Sequence, residues 1–399
     1  MSSLISHRSS LVFLAVTLLT FLAASSAPTP LYHLYQEGLH FSAGMLTLIF
    51  GVYALSLLAA LLTVGSLSDY LGRKPVIFAA LILEMLAMLL FINADSVAWL
   101  IAARTVQGFA TGMATAVLGA ALLDTDRQQG PLVNSVAPLL GMACGAMGSS
   151  LLVEFAPLPT QLIYWALLGL MLAQALYVWR LPESVSRIPG ALASLRPTLH
   201  VPPQARRALW LSLPVDIAVW AMGGFYLSLA PSLVRAATGS TSNLIGGGLV
   251  AVLTLSGALM IFTLRNRQAD KVLRLGAGLL AIGVALILTA VHSASLSLFF
   301  IATLIAGSGF GAGFLGALRS VVPLALPHER AGLMSAFYVL SYLAFCLPTL
   351  LAGNLIRSFG LIPTTDGYGA VLILLAVGAL AALMWQERRQ AYIGKTDNS

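Results

Sequence analysis

Twelve apolar stretches, separated by short polar turns, run the length of this chain near residues 10–31, 43–64, 76–93, 98–122, 131–153, 160–179, 208–231, 243–264, 275–291, 296–318, 331–354 and 368–385. A helix needs about 20 apolar residues to cross the roughly 30 Å hydrocarbon core of a bilayer, so each stretch reads as a membrane-spanning helix. Only 9% of residues are charged and 59% are hydrophobic, whereas a soluble domain carries about 25% charged residues. The class is therefore all-α integral membrane protein. The shortest joins fall at 93–98 and 291–296. Arg8, an apolar stretch and AASSA imitate a secretory signal. Cleavage there would remove most of the first span and strand Pro28, Pro30 and Tyr32, so an uncleaved first helix is expected.

Lys and Arg orient the chain. With both termini in the cytoplasm, 18 of the 21 basic residues fall in inner segments, from Arg8 through Arg73, Lys74 and Arg127 to Arg388, Arg389 and Lys395. The outer loops hold Arg235 and Arg357, and Arg104 lies within a span. Adding or dropping one span would scramble that asymmetry. The +7 net charge sits at the ends of apolar segments and forms no basic patch, so the expected partner is the lipid bilayer and not nucleic acid. The expected location is the cytoplasmic (inner) membrane, as a multi-pass monomer. Cys144 and Cys346 both lie in apolar runs and read as small buried side chains, not a disulfide.

The longest interruption, residues 180–207, is rich in Pro, Ser and Arg and divides the spans six and six. It predicts a bundle over 1–181, a cytoplasmic linker over 182–206 and a second bundle over 207–399. A faint repeat supports duplication: Asp69, Arg73, Gly108 and Gly112 recur as Asp270, Arg274, Gly309 and Gly313 at one offset. Duplicated six-helix halves are a transporter architecture, with substrate held near the bilayer midplane where they meet.

Between the second and third spans stands GSLSDYLGRKPV, Gly65 to Val76. Asp69 and Arg73 are one helical turn apart, and Gly65 and Gly72 suit a close approach or a sharp turn. In the fourth span, ARTVQG carries Arg104, Gln107 and Gly108. With these motifs, the span count and the central linker, the chain resembles the major facilitator superfamily over essentially its whole length. Gly65, Leu67, Asp69, Gly72, Arg73 and Lys74 match the signature loop G-x-L-x-D-x-x-G-R-K, and Arg104, Gln107 and Gly108 match R-x-x-Q-G. The resemblance implies two pseudo-symmetric six-helix bundles, with the loop latching them on the cytoplasmic side when the protein opens outward. Asp69 would accept hydrogen bonds from Arg73 and from amides at a helix start. The bland alternative is a positive-inside loop with a local ion pair, worth about 0.3–0.5 kcal/mol. The fifth span matches the drug:proton antiporter pattern in part, with Gly141, Gly145 and Gly148, but has Ala146 where proline is expected. The second signature loop is degenerate, with Asn266 and Leu273 at the glycine positions.

Ionisable residues inside spans each cost about 2.5–3.5 kcal/mol at the helix centre on insertion scales, so each needs a reason. There are three: Glu84, Arg104 and Asp216. Glu84 and Arg104 lie ten residues either side of the turn near Ala94, at similar depth, and a structural ion pair between them is one reading. The other is that Arg104 faces a central cavity and holds an anionic group or biases a carboxyl; the resemblance implies a coupling or gating role. Asp216 lies nine residues beyond Arg207, about 13 Å along a helix. It reads either as a carboxyl that takes up and releases a proton during transport or as an acid wetted from the cytoplasm near the helix start, where Pro214 also sits.

Gln107, Tyr53, Asn134, Trp220, Tyr226, Tyr338 and Tyr342 are candidates for contact with substrate. Tyr338 and Tyr342 share a helix face, as do Asp216 and Trp220. Pro28 and Pro30 end the first span, with Thr29 and Tyr32 placed to face an outer vestibule. The glycines from Gly307 to Gly316 read as packing or bending positions. No Walker loop offers ATP coupling. His33 and His40, seven apart with only Glu37 nearby, offer no metal site, and no nucleophile–base set suggests an enzyme. The expected function is a secondary active transporter of a small organic solute by alternating access, drawing on a proton gradient without a cofactor, with export favoured. An uptake permease and a non-transporting receptor on the same fold are the alternatives.

Overall fold

The computed structural model describes residues 7–326 and 328–396, with side chains to Glu387. The side chains of Arg388, Arg389 and Lys395 lie outside the described set. Among the described residues, twelve helices are long and apolar enough to cross a membrane. The first six spanning helices are α1 (His7–Ser26), α2 (Ala43–Val64), α3 (Arg73–Ile92), α4 (Val97–Thr125), α5 (Gly130–Phe155) and α6 (Leu162–Tyr177). The others are α7 (Pro203–Ser228), α8 (Asn243–Leu264), α9 (Ala269–His292), α10 (Leu296–Val321), α11 (Arg330–Phe359) and α12 (Leu361–Thr396). Every expected span is present, and α2 and α8 coincide with their sequence-based limits at both ends.

Helix limits follow local chemistry. Ser42 caps α2 by accepting the Met45 amide, and Ser242 caps α8 by accepting the Leu244 amide. Asp126 accepts the amides of Gln128 and Gln129 just before α5, and those bonds hold its carboxyl below the usual range. After α1 the chain passes through Pro28 and Pro30 into a short helix, Tyr32–Leu39, which ends on His40 in the left-handed region. After α7 it repeats the manoeuvre through Pro231 and the helix Ala230–Thr238, ending on left-handed Gly239.

Helices α1 to α6 pack as one group, through α1 on α5, α2 on α4, and α3 on both α4 and α6. Helices α7 to α12 pack as another, with α10 against α7, α8 and α9. The two groups meet through α2 on α11 and α5 on α8. The two helix groups share a glycine packing pattern, but through other glycines than those expected. Gly108 and Gly112 of α4 sit against the Tyr53 and Leu57 carbonyls of α2, where a Cβ would lie 2.2 and 2.5 Å away. The counterparts on α10 are Gly307 and Gly311, set against the Leu253 and Gly257 carbonyls of α8 at 2.4 and 2.1 Å. Gly309 faces Leu280 of α9 instead, and Gly313 faces Val215 and Val219 of α7.

Gly141 and Gly145 bring α5 onto the Leu19 and Ala23 carbonyls of α1, whereas Gly148 meets nothing. Cys346 is buried as expected and Cys144 is not. Cys144 lies off the α5 face that Gly141 and Gly145 turn to α1, so it remains on the outside of the helix group.

Candidate functional site

Gly72, at φ +94°, closes the short helix Ser68–Leu71 and turns the chain into α3. The first amides of α3 would otherwise be bare. Glu183, on the segment joining the two helix groups, accepts both, from Arg73 N at 2.7 Å and Lys74 N at 3.1 Å. A carboxylate at a helix N-terminus has the favourable polarity. The Arg73 guanidinium lies between Asp69 at 2.5 Å and Asp124 at 2.9 Å, and also donates to Ser68 Oγ. Asp69 therefore pairs with Arg73 as expected, but the amides go to Glu183. The joining segment adds Ile188 N–H to the Tyr70 carbonyl and receives Ser66 Oγ–H at the Ser194 carbonyl. Lys74 Nζ donates to the Trp179 carbonyl. Gly65 permits a tight exit from α2, since a Cβ there would lie 2.3 Å from the Leu61 carbonyl. These contacts stay within the first helix group and the joining segment. In the second copy, Arg274 donates to the Asp270 backbone carbonyl and pairs with Glu387, so Asp270 and Arg274 form no side-chain ion pair.

Inside the first group a fully buried polar chain links α3, α4 and the end of α1. Arg104 donates to the Ser25 carbonyl at 2.9 Å, to Gln107 Oε1 at 2.5 Å and to the Tyr32 hydroxyl at 2.6 Å. Its guanidinium lies 4.6 Å from the Tyr53 ring centre, a favourable placement for a desolvated cation. Gln107 Nε2 donates to the Ala24 carbonyl at 3.0 Å and to Glu84 Oε1 at 3.1 Å. Thr111 Oγ1 approaches Glu84 Oε2 at 3.5 Å. Glu84 and Arg104 share the network without a direct ion pair, because Gln107 stands between them. Arg104 is 1% exposed and Glu84 0%, so both face the interior of the first group.

In the second group, Asp216 of α7 is 0% exposed and accepts Ser341 Oγ–H of α11 at 2.7 Å. The Trp220 indole N–H, one turn on, interacts with the carboxylate electrostatically but without hydrogen-bond geometry, so Asp216 Oδ1 and Trp220 Nε1 both lack a partner. Trp220 packs on Tyr342 at 4.8 Å, Phe345 at 5.8 Å and Phe314 at 6.0 Å between ring centres. Tyr338 lies 6.3 Å from Tyr342. This aromatic cluster reaches the junction: Phe345 packs at a tilt on Phe50 of α2, 5.0 Å between ring centres, and Tyr342 lies within electrostatic reach of Tyr53. Rings thus bridge the Arg104 and Asp216 sites of the two helix groups.

Close approach of α2 and α11 is concentrated at the end away from the signature loop. Gly44 and Thr47 pack on Gly353, Gly51 packs on Leu350 and Cys346, and Cys346 Sγ lies 3.6 Å from the Gly51 carbonyl. At that same far end Thr29 Oγ1 donates to the Leu227 carbonyl at 2.8 Å. Asn243, the first residue of α8, gives its backbone and side-chain N–H groups to Glu154 Oε2 of α5, each at 3.1 Å.

The sequence profile of the Major Facilitator Superfamily matches residues 12–347. The chain belongs to that superfamily. It is a multi-pass membrane transporter, not an enzyme. The human organic anion transporter MFSD10 (TETRAN) superposes with a TM-score of 0.68 at 21% identity, covering 94% of this chain and 99% of that one. The nucleoside transporter NupG, in a point-mutant form, superposes with a TM-score of 0.72 at 13% identity, with the same coverages. At these identities the likeness is one of fold. Multidrug resistance protein MdtL of Escherichia coli is 29% identical over 134 residues, 32% of this chain and 34% of its own length. The Shigella boydii protein of the same name matches equally.

Within this superfamily fold the expected site residues divide. Trp220, Tyr338 and Tyr342 are half-buried in the aromatic cluster, and Tyr53 joins the junction from the first group. Gln107 is enclosed in the Arg104 network. Tyr226 is enclosed in the second group, its hydroxyl 2.7 Å from Thr303 Oγ1. Asn134 of α5 faces Gly119 of α4, with its Oδ1 lacking a partner. Sequence reasoning missed Glu183, Asp124, Glu154 and Asn243, which act across long separations with no pattern to mark them. The adjacent small residues and prolines did draw notice to Thr29, but as a vestibule residue; it is buried at the junction.

Proposed function

We propose that this chain exports small organic compounds from the cytoplasm in exchange for protons, by rocking its two helix groups about the aromatic junction. The observation that carries the reading is Asp216, a buried carboxyl with one hydroxyl donor and one unpartnered oxygen, set beside the rings that line the junction. An ionisable group at that depth is costly without a functional return, and a carboxyl can exchange a proton whenever one side opens. The partial match to a multidrug resistance protein supports export. The Lys and Arg distribution supports a cytoplasmic signature loop and cytoplasmic termini. With that orientation, the packed far end is the outer side, and the structure corresponds to a state closed to the outside. The Asp69 loop then acts as the latch of the opposite state, with Arg73 paired to Asp69 and to Asp124 of α4 and the start of α3 capped by Glu183.

The direct test is a compound panel on deletion and overexpression strains, followed by transport of any hit in inverted membrane vesicles. Proton-driven accumulation in inverted vesicles is the expected result. Accumulation only in right-side-out vesicles would assign uptake, and binding without flux would assign a receptor.

A further inference from the structure

In a helix, the carbonyl of residue i accepts the amide of residue i+4. Pro28 has no N–H, so the Ala24 carbonyl of α1 is left without its helical donor. Gln107 Nε2 supplies one at 3.0 Å. The same accounting applies in the second half. Pro231 leaves the Leu227 carbonyl of α7 without its donor, and Thr29 Oγ1 supplies one at 2.8 Å, from the break in α1. Both acceptors lie in buried surroundings, where an unpaired carbonyl is expensive.

Gln107 can serve Ala24 only in one orientation of its amide. Arg104 is purely a donor, so the oxygen of Gln107 must face it and the nitrogen must face away. Glu84 Oε1 accepts the same nitrogen at 3.1 Å. Two proline breaks, one in each half, are therefore tied in series: Glu84 to Gln107, Gln107 to the broken turn of α1, and Thr29 of that turn to the broken turn of α7.

We infer that Glu84 is a positioning residue for the far-end gate, acting through Gln107 on the proline break of α1 and thence through Thr29 on α7. This goes beyond the transport reading and holds whichever way solute moves.

Cys346, buried on the α2–α11 contact at the far end, reports gate opening by alkylation. In purified Cys144→Ser protein, N-ethylmaleimide should label Cys346 about fivefold faster in Glu84→Leu than in the parent, the factor one lost hydrogen bond gives. Glu84→Gln keeps an acceptor for Gln107 and should label at the parental rate. Thr29→Val, which spares the Glu84 site, should also speed labelling. Should Glu84→Leu fail to accumulate, Gln107→Met removes the same donor and is read the same way. Parental labelling in Glu84→Leu or Thr29→Val, or equally fast labelling in Glu84→Gln and Glu84→Leu, would overturn the inference.

Discussion

Glu183 holds the start of α3 by accepting the Arg73 amide at 2.7 Å, 110 residues away along the chain. The bond ties the signature loop to the segment that joins the two halves, so movement of that segment is transmitted to the loop. Removing the carboxylate should behave as loss of a helix cap. Glu183→Ala should lower the stability of the purified protein by about 1 kcal/mol, read as a drop in melting temperature. Gly72→Ala should cost more, because its φ is +94° and a Cβ would fall 2.8 Å from Glu183 Oε2. An unchanged melting temperature in both would remove Glu183 from this role.

The two copies of the loop should respond unequally. Asp69 contacts the Arg73 guanidinium, whereas the Asp270 carboxylate makes no such pair with Arg274. Asp69→Asn should reduce transport at unchanged membrane abundance, and Asp270→Asn should leave it near the wild-type rate. Vesicle transport normalised to protein on immunoblots decides this; equal effects would argue for ordinary surface charge at both sites.

Helix approach through the glycines predicts a position-specific pattern. Gly108→Ala and Gly311→Ala force a methyl into a backbone carbonyl and should each destabilise by about 1–3 kcal/mol. Gly148→Ala and Gly278→Ala, where a Cβ meets nothing, should be within about 0.5 kcal/mol of the parent. Thermal unfolding in detergent is the measurement, and a uniform response at all four would contradict the packing described.

Tyr32 offers a test of the buried cation. Tyr32→Phe deletes an acceptor of Arg104 inside the first half and leaves that N–H unpaired, at a cost of about 1–3 kcal/mol. Thermal unfolding of the purified variant reads that loss. Restoration of stability by Tyr32→His, which supplies a ring nitrogen, is not expected, because the nitrogen cannot reach the hydroxyl position.

The fold was legible because its signals are local. Apolar run length, the signal that marked every span, acts within one span. The internal repeat was visible in outline, yet its glycine register was off: Gly309 and Gly313 lie near the right depth, but the α8-facing stripe is Gly307 and Gly311. A glycine-rich helix packed on several neighbours does not reveal from its sequence which glycine faces which. Buried ionisable groups were legible because a charge inside a span is costly, as at Glu84, Arg104 and Asp216. Pairing was not, since Gln107 separates Glu84 from Arg104 only once α1, α3 and α4 are assembled. Thr29 and Glu183 gain their roles from partners 198 and 110 residues away, a distance over which sequence spacing carries no geometry.

The central claim is that Asp216 carries the coupled proton. Purified wild-type and Asp216→Asn proteins, reconstituted into liposomes holding a pH-sensitive dye, test it with the compound identified by the growth panel. An imposed compound gradient should drive proton movement through the wild type and not through Asp216→Asn, while the variant still exchanges labelled compound across the membrane. Proton movement of wild-type rate through Asp216→Asn would contradict the account, as would compound transport by the wild type with no proton movement at all.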